Sequence, residues 1–286
     1  MADIKAIILD VDGVIIGEKI GFNSPHPHID VINKLKEIKG KGIDVSLCTA
    51  KPYFAIQKVI EDAGLNNLHI TDGGSVVINP IDNIIECKHI LDKEQSKTVL
   101  KMCIENNIYV EFYTVDNYFI QKNQECDITK QHIHILQKNP IIIDDLVKES
   151  SNQEITKIMP IALKETDKER VNDLYKQLDV NLSFNWSIHP VALPLQFGIV
   201  TATGISKKQG LVAISESSNI LLDNILGVGD STSDWNFIEL CGYASAMENA
   251  SPELKELVKS KGESNYCIGG HVDNNGIIEA LDYFVK

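Results

Sequence analysis

Asp10-Val11-Asp12-Gly13 stands directly behind a short apolar run, Ile4 to Leu9. Two carboxylates two residues apart project the same way from an extended chain. At the C-terminal edge of a parallel sheet both would face the crevice in which such sheets bind ligands. Like charges this close repel, and a cation beside them relieves the repulsion. Asp-Gly is also an ordinary turn, and the tetrapeptide alone fits either reading. A second acidic stretch, Gly227-Val228-Gly229-Asp230-Ser231-Thr232-Ser233-Asp234, follows another apolar run near the far end of the chain. Asp234 is placed to cap a helix opening at Trp235, which leaves Asp230 for the crevice. The third glycine of a dinucleotide fingerprint is absent, and no GxxxxGK[ST] phosphate loop occurs anywhere. In Thr49-Ala50-Lys51-Pro52 a hydroxyl and free backbone N–H groups at a helix start suit a phosphate, although plain capping by Thr49 explains the same residues. Lys207 also opens a helix, where a cation opposes the helix dipole; by itself it reads as a solvated lysine.

These residues need a scaffold that brings both chain ends together, and the hydrophobic pattern predicts one. Ile4–Leu9, Ile43–Cys48 and Leu68–Ile70 read as short buried strands, alternating with helices over His28–Lys41 and Pro52–Ala63. After residue 194 the alternation resumes. Helices are expected at Lys207–Ser215, Trp235–Leu240, Pro252–Lys259 and Asp273–Val285, with strands at Ile220–Val228 and Gly242–Ala246. Such alternation implies right-handed crossovers and a parallel sheet. Between Pro80 and Pro194 the pattern changes: helices near Lys93–Glu105 and Asp167–Leu178 lie among strand-like runs at Tyr109–Thr114, Asn117–Gln121, Gln131–Leu136 and Glu154–Leu163. The expectation is an α/β protein: a discontinuous Rossmann-like core from residues 1–79 and 195–286, and an inserted α+β domain over residues 80–194.

The chain has 286 residues, of which 43% are hydrophobic and 23% charged, as in ordinary globular proteins. Its net charge of −13 argues against nucleic acid and against anionic membranes as partners. No apolar run reaches the ~18 residues of a membrane span, and the N-terminus does not read as a signal peptide. Six scattered cysteines without a CxxC pair point to reduced thiols in the cytoplasm. Arg170 is the sole arginine, so the positive charge is nearly all lysine.

The order of the motifs carries more than any one of them. DxDG after the first strand, Thr49 after the second, Lys207 opening a late helix and GDxxxD after the next strand together resemble the haloacid dehalogenase superfamily of phosphatases, over essentially the whole chain. The long insert between Thr49 and Lys207 resembles the type IIB α/β cap of Cof-type members. Asn249-Ala250 and the turn Asp273-Asn274-Asn275-Gly276-Ile277 are further echoes. The resemblance implies Asp10 as nucleophile and Asp12 as general acid and base. It implies Mg²⁺ on the Asp10 carboxylate, the Asp12 carbonyl and Asp230, with Thr49 and Lys207 on the phosphoryl oxygens and Asp234 orienting Lys207. Val14, Lys51, Asp72 and Ser233 stand where the family more often has Thr, Arg, Asn and Asn, and none of these is a core catalytic group. The implied activity is hydrolysis of a small phosphorylated metabolite, a sugar phosphate among the options, with the cap closing over the site and setting selectivity. A phosphomutase and a non-catalytic phosphate-ligand binder are the alternatives, and a monomer or weak dimer is the expected assembly.

Other candidates read more simply. His26 and His28, and His132 and His134, have metal-pair spacing but no nearby Cys or carboxylate partner in sequence, so a loop and a polar strand face are expected. Trp186 and Trp235 read as packing residues, and Lys164–Arg170 as a solvated helix face.

Overall fold

The computed structural model describes residues 3–285. The chain divides into two compact units, one of residues 1–50, 56–87 and 206–286, the other of residues 51–55 and 88–205.

The first unit is built on a five-stranded parallel sheet in the order Tyr266–Ile268, Tyr243–Ala246, Ile225–Gly229, Ala6–Leu9, Asp44–Leu47. Ala6–Leu9 is central and all four of its residues are buried, which is why it reads as an uninterrupted apolar run. Its register, Leu9 against Val228 on one side and Leu47 on the other, brings these three adjacent strands to the same level. His69–Thr71 adjoins the sheet through a parallel bridge from Ile70 to Cys48, then turns into the antiparallel strands Val76–Asn79 and Ile84–Lys88. Helix Ile29–Gly40 buries Val31, Ile32, Leu35 and Ile38, a stripe at helical spacing. Helix Lys207–Ser218 is capped by Ser206, whose hydroxyl accepts from the Lys208 N–H at 3.2 Å.

Two expected helices are broken. Tyr53–Ala55 is a 3₁₀ turn, and the helix proper runs Gln57–Ala63. The break falls where the chain serves two cores: Phe54 and Ala55 pack with the aromatic cluster of the second unit, while Val59, Ile60 and Ala63 pack in the first. At the C-terminus, Val272–Asn274 is a 3₁₀ turn and Ile277–Phe284 the helix, separated by Asn275 at φ 58°, a left-handed residue that an α-helix does not accommodate.

The second unit carries a six-stranded sheet in the order Leu182–Ile188, Gln196–Ala202, Lys157–Ala162, Tyr109–Tyr113, Tyr118–Gln121, Ile141–Ile143, antiparallel except for its last pair. Together the units form the α/β core and inserted α+β domain that the sequence leads one to expect. One strand expectation fails. Gln131–Leu136 belongs to a helix, Asp127–Leu136, opened by a reciprocal cap between Cys126 and Thr129 and ended by left-handed Gln137. Its buried residues Thr129, His132, Ile135 and Leu136 follow the 3–4 period of a helix, which the β-branched content of the segment disguises. Among the described residues no helix is long and apolar enough to cross a membrane, and all six cysteines are free.

Candidate active site

The sheet determines where the acidic loops lie. Asp10 follows the central strand, its N–H held by the Val228 carbonyl at 2.9 Å, and Asp230 follows the neighbouring strand. On the other side the Cys48 N–H bonds Leu9 O at 2.7 Å, which sets Thr49 beside Asp10; Thr49 is 2% exposed. Parallel strands thus deliver Asp10, Thr49 and Asp230 to one edge, the carboxyl edge, where α/β sheets bind ligands. Carboxylate oxygens of Asp10, Asp230 and Asp234 lie within 4.8 Å of one another.

Lys207 enters from the first turn of its helix. Its Nζ stands 2.8 Å from Asp10 Oδ1 and 2.6 Å from Asp234 Oδ1. Asp234 is fully buried, and its other oxygen accepts from the N–H groups of Asp230 and Ser231 and from the Ser231 hydroxyl. Asp234 therefore fixes both the Asp230 loop and the lysine, a double role that a helix cap alone does not describe. Burial pushes the Asp10 carboxyl well above the usual range; Lys207 opposes this, and Asp234 and Asp230 add to it. Burial acts to lower Lys207, but Asp10 and Asp234 outweigh it and hold the ammonium firmly charged. Asp230 is pushed up to about 7 by burial and by Asp234, against Lys207 and with a smaller push from Asp12.

Asp12 lies in a tight turn in which the Gly13 N–H bonds Ile16 O at 2.8 Å and the Ile15 and Ile16 N–H groups bond Val11 O. Gly13 has φ +80°, and a Cβ there would stand 2.0 Å from Asp230 Oδ2, so the acidic loops meet only because this residue is glycine. Gly74 has a like role: at φ +105° its missing Cβ would fall 2.1 Å from Ser206 O, so it admits the start of the Lys207 helix. Asp72, in the same turn, is buried at a left-handed φ of 50°. No local pattern in the sequence marks this role, because the residue that approaches Gly74 lies more than a hundred positions further along the chain.

The histidine pairs do not form metal sites. His132 is buried in the second unit with Nδ1 2.8–2.9 Å from both carboxylate oxygens of Glu111, and His134 is exposed on the same helix. His26 stands 3.2 Å from Asp62, and His28 caps its own helix. Trp235 packs against the first core and Trp186 against the second.

A Rossmann-like core with a buried lysine–carboxylate cluster at the carboxyl ends of its strands defines an α/β enzyme. A family model of haloacid dehalogenase-like hydrolases matches residues 7–281, and the chain belongs to that family. A 5-amino-6-(5-phospho-D-ribitylamino)uracil phosphatase of Bacillus subtilis is 22% identical, over 99% of this chain and 98% of its own. Among solved structures, a sugar phosphatase of subclass IIB superposes with a TM-score of 0.77 at 20% identity, covering 98% of both chains. A haloacid dehalogenase-like hydrolase from Bacteroides thetaiotaomicron superposes at 0.84 with 17% identity, again over 98% of both. The chain is thus a Cof-type member of this phosphatase superfamily, and by class a phosphoric monoester hydrolase.

Proposed function

We propose that the protein hydrolyses a small phosphorylated metabolite through an aspartyl-phosphate formed on Asp10. The observation that carries this is the half-buried Lys207, bound at once to Asp10 and Asp234 beside Asp230. The Asp10 carboxylate attacks phosphorus while the ester P–O bond breaks, and Asp12 gives its proton to the leaving oxygen. Water then attacks the same phosphorus, Asp12 takes its proton, and the Asp10–phosphorus bond breaks to release phosphate. Lys207 draws the nucleophile towards its ionised form against the effect of burial and, with Thr49, steadies the transferring oxygens. Such transfer depends on alignment and charge neutralisation.

The donor set fits Mg²⁺. Clustered hard carboxylates carry more negative charge than one lysine offsets. Asp10, Asp230 and the Asp12 main-chain carbonyl would hold the ion, which when bound screens the repulsion between carboxylate and phosphate. The relatives named for a phosphorylated ribityl compound and as a sugar phosphatase support a phosphorylated sugar or polyol as substrate. The free thiols support a cytoplasmic location.

Asp10→Asn keeps the side-chain shape and removes the attacking charge. Phosphate release with Mg²⁺ is expected to fall at least about 10³-fold with an unchanged circular dichroism spectrum. Wild-type turnover by a folded Asp10→Asn protein would refute the assignment. Release by the wild type without a bisphosphate activator excludes a mutase, and tight ligand binding without turnover would establish a binder.

A further inference from the structure

Beyond the acidic loops, a third loop in the first unit grips both of them. Residues Met247–Ser251 follow the strand Tyr243–Ala246. The Met247 N–H donates to Gly229 O at 3.2 Å, and the Ser251 N–H to Asp230 O at 2.9 Å. Between them, Asn249 Nδ2 donates to Gly13 O at 2.8 Å while its Oδ1 accepts from the Val272 N–H at 3.0 Å. The C-terminal turn reached in this way holds the rest of the first loop. Asp273 Oδ1 accepts from the Glu18 N–H at 2.9 Å and from Asn23 Nδ2 at 3.0 Å.

We infer that Asn249 is a positioning residue, setting the Asp10–Gly13 loop in register with the Asp230 loop. Gly13 is held through its N–H by Ile16 and through its carbonyl by Asn249. The Asp230 carboxylate rests directly against its Cα, in space that only a glycine leaves open. Fixing Gly13 therefore fixes the Asp12–Gly13 peptide, whose carbonyl is assigned to the cation, together with the seat of Asp230. A partner that orients ligands without touching them typically changes cation affinity or rate by about 10–100-fold. The inference rests on the proposed hydrolysis for its kinetic arm only.

The test compares Asn249→Ala and Asn249→Asp with Asn67→Ala. Asn67 Nδ2 donates to Val45 O, Ser46 Oγ and Leu68 O and its Oδ1 accepts from Lys39 Nζ, all within the same unit, and it serves as a purely structural control. Asn249→Asp keeps the acceptor for Val272 and loses the donor to Gly13, so it guards against the alanine variant failing to fold. With p-nitrophenyl phosphate, both Asn249 variants are expected to lose about tenfold or more in kcat while KM changes about twofold at most. Without substrate, the Mg²⁺ concentration giving half of the melting-temperature rise should increase about tenfold. Asn67→Ala should lower the melting temperature and leave kcat and the Mg²⁺ midpoint unchanged. A folded Asn249→Asp protein with the wild-type Mg²⁺ midpoint and kcat would overturn the inference. A wild type that binds Mg²⁺ and releases no phosphate would overturn the proposed function instead, with the Mg²⁺ midpoints still deciding the role of Asn249.

Discussion

Asp230 is half-buried beside Asp234 and Asp12, and its carboxyl is pushed up to about 7 by desolvation first and then by Asp234. The folded state therefore prefers the protonated acid between about pH 4 and 7, where the unfolded chain has already lost the proton. Stability owed to this group falls as pH rises through that window and stays low above it. Asp230→Asn removes the charge, so at pH 8 without divalent ions the variant is expected to be more stable than wild type by about 1–3 kcal/mol. Urea unfolding measures this, and a less stable variant would contradict the electrostatic account. The same substitution should abolish the melting-temperature rise with Mg²⁺. That Asp10, Lys207, Asp230 and Asp234 converge was legible in the sequence because each stands at a strand or helix end and their order along the chain resembles one family. The work of Asn249, Gly13 and Gly74 was not, because each acts on a partner distant in the chain and a local pattern carries no record of it.

Elements were legible where burial is uniform or periodic. Ala6–Leu9 is apolar throughout since parallel strands are covered on both faces, and Lys93–Glu105 shows a clear helical stripe with Asp92 as its cap. Asp127–Leu136 was misread because its β-branched residues suit a strand, and the tertiary packing of Ile135 and Leu136 decides otherwise. The correction separates two histidines that look alike in sequence. Residues two apart on a helix do not share a face, so His132 and His134 cannot chelate one ion. His132 pairs with a fully buried Glu111 that also accepts from the hydroxyls of Tyr109 and Tyr113. Truncating His132 takes a hydrogen-bond partner from the buried Glu111 and leaves a cavity among Tyr118 and Phe197: His132→Ala is expected to cost about 3–5 kcal/mol. His134→Ala, at an exposed position, should change stability by about 0.5 kcal/mol at most. Equal effects of the two, or a rise in melting temperature with Zn²⁺, would count against the helical assignment.

At the scale of the whole molecule, each unit owns its core. Residues from both ends of the chain form one cluster, Ile7 and Ile8 packing with Leu226, Val228 and Leu281, while Phe112, Ile158 and Val200 anchor another in the inserted unit. Asp10, Asp230, Asp234 and Lys207 all belong to the first unit. Asp10 and Asp230 lie 220 residues apart in sequence, and a cation held by both cross-links the ends of that unit alone. A ligand that binds only the folded form raises the free energy of every opening that breaks its site, and leaves other openings as they were. Hydrogen exchange read by peptide should therefore divide along the chain. Saturating Mg²⁺ without substrate is expected to slow exchange in peptides covering residues 6–16 and 225–234, with no change in those covering residues 109–121 and 157–162. Protection that is equal in both sets would mean that the cation acts on the inserted unit as well. Protection absent from the first set would remove the cation from the Asp10–Asp230 pair.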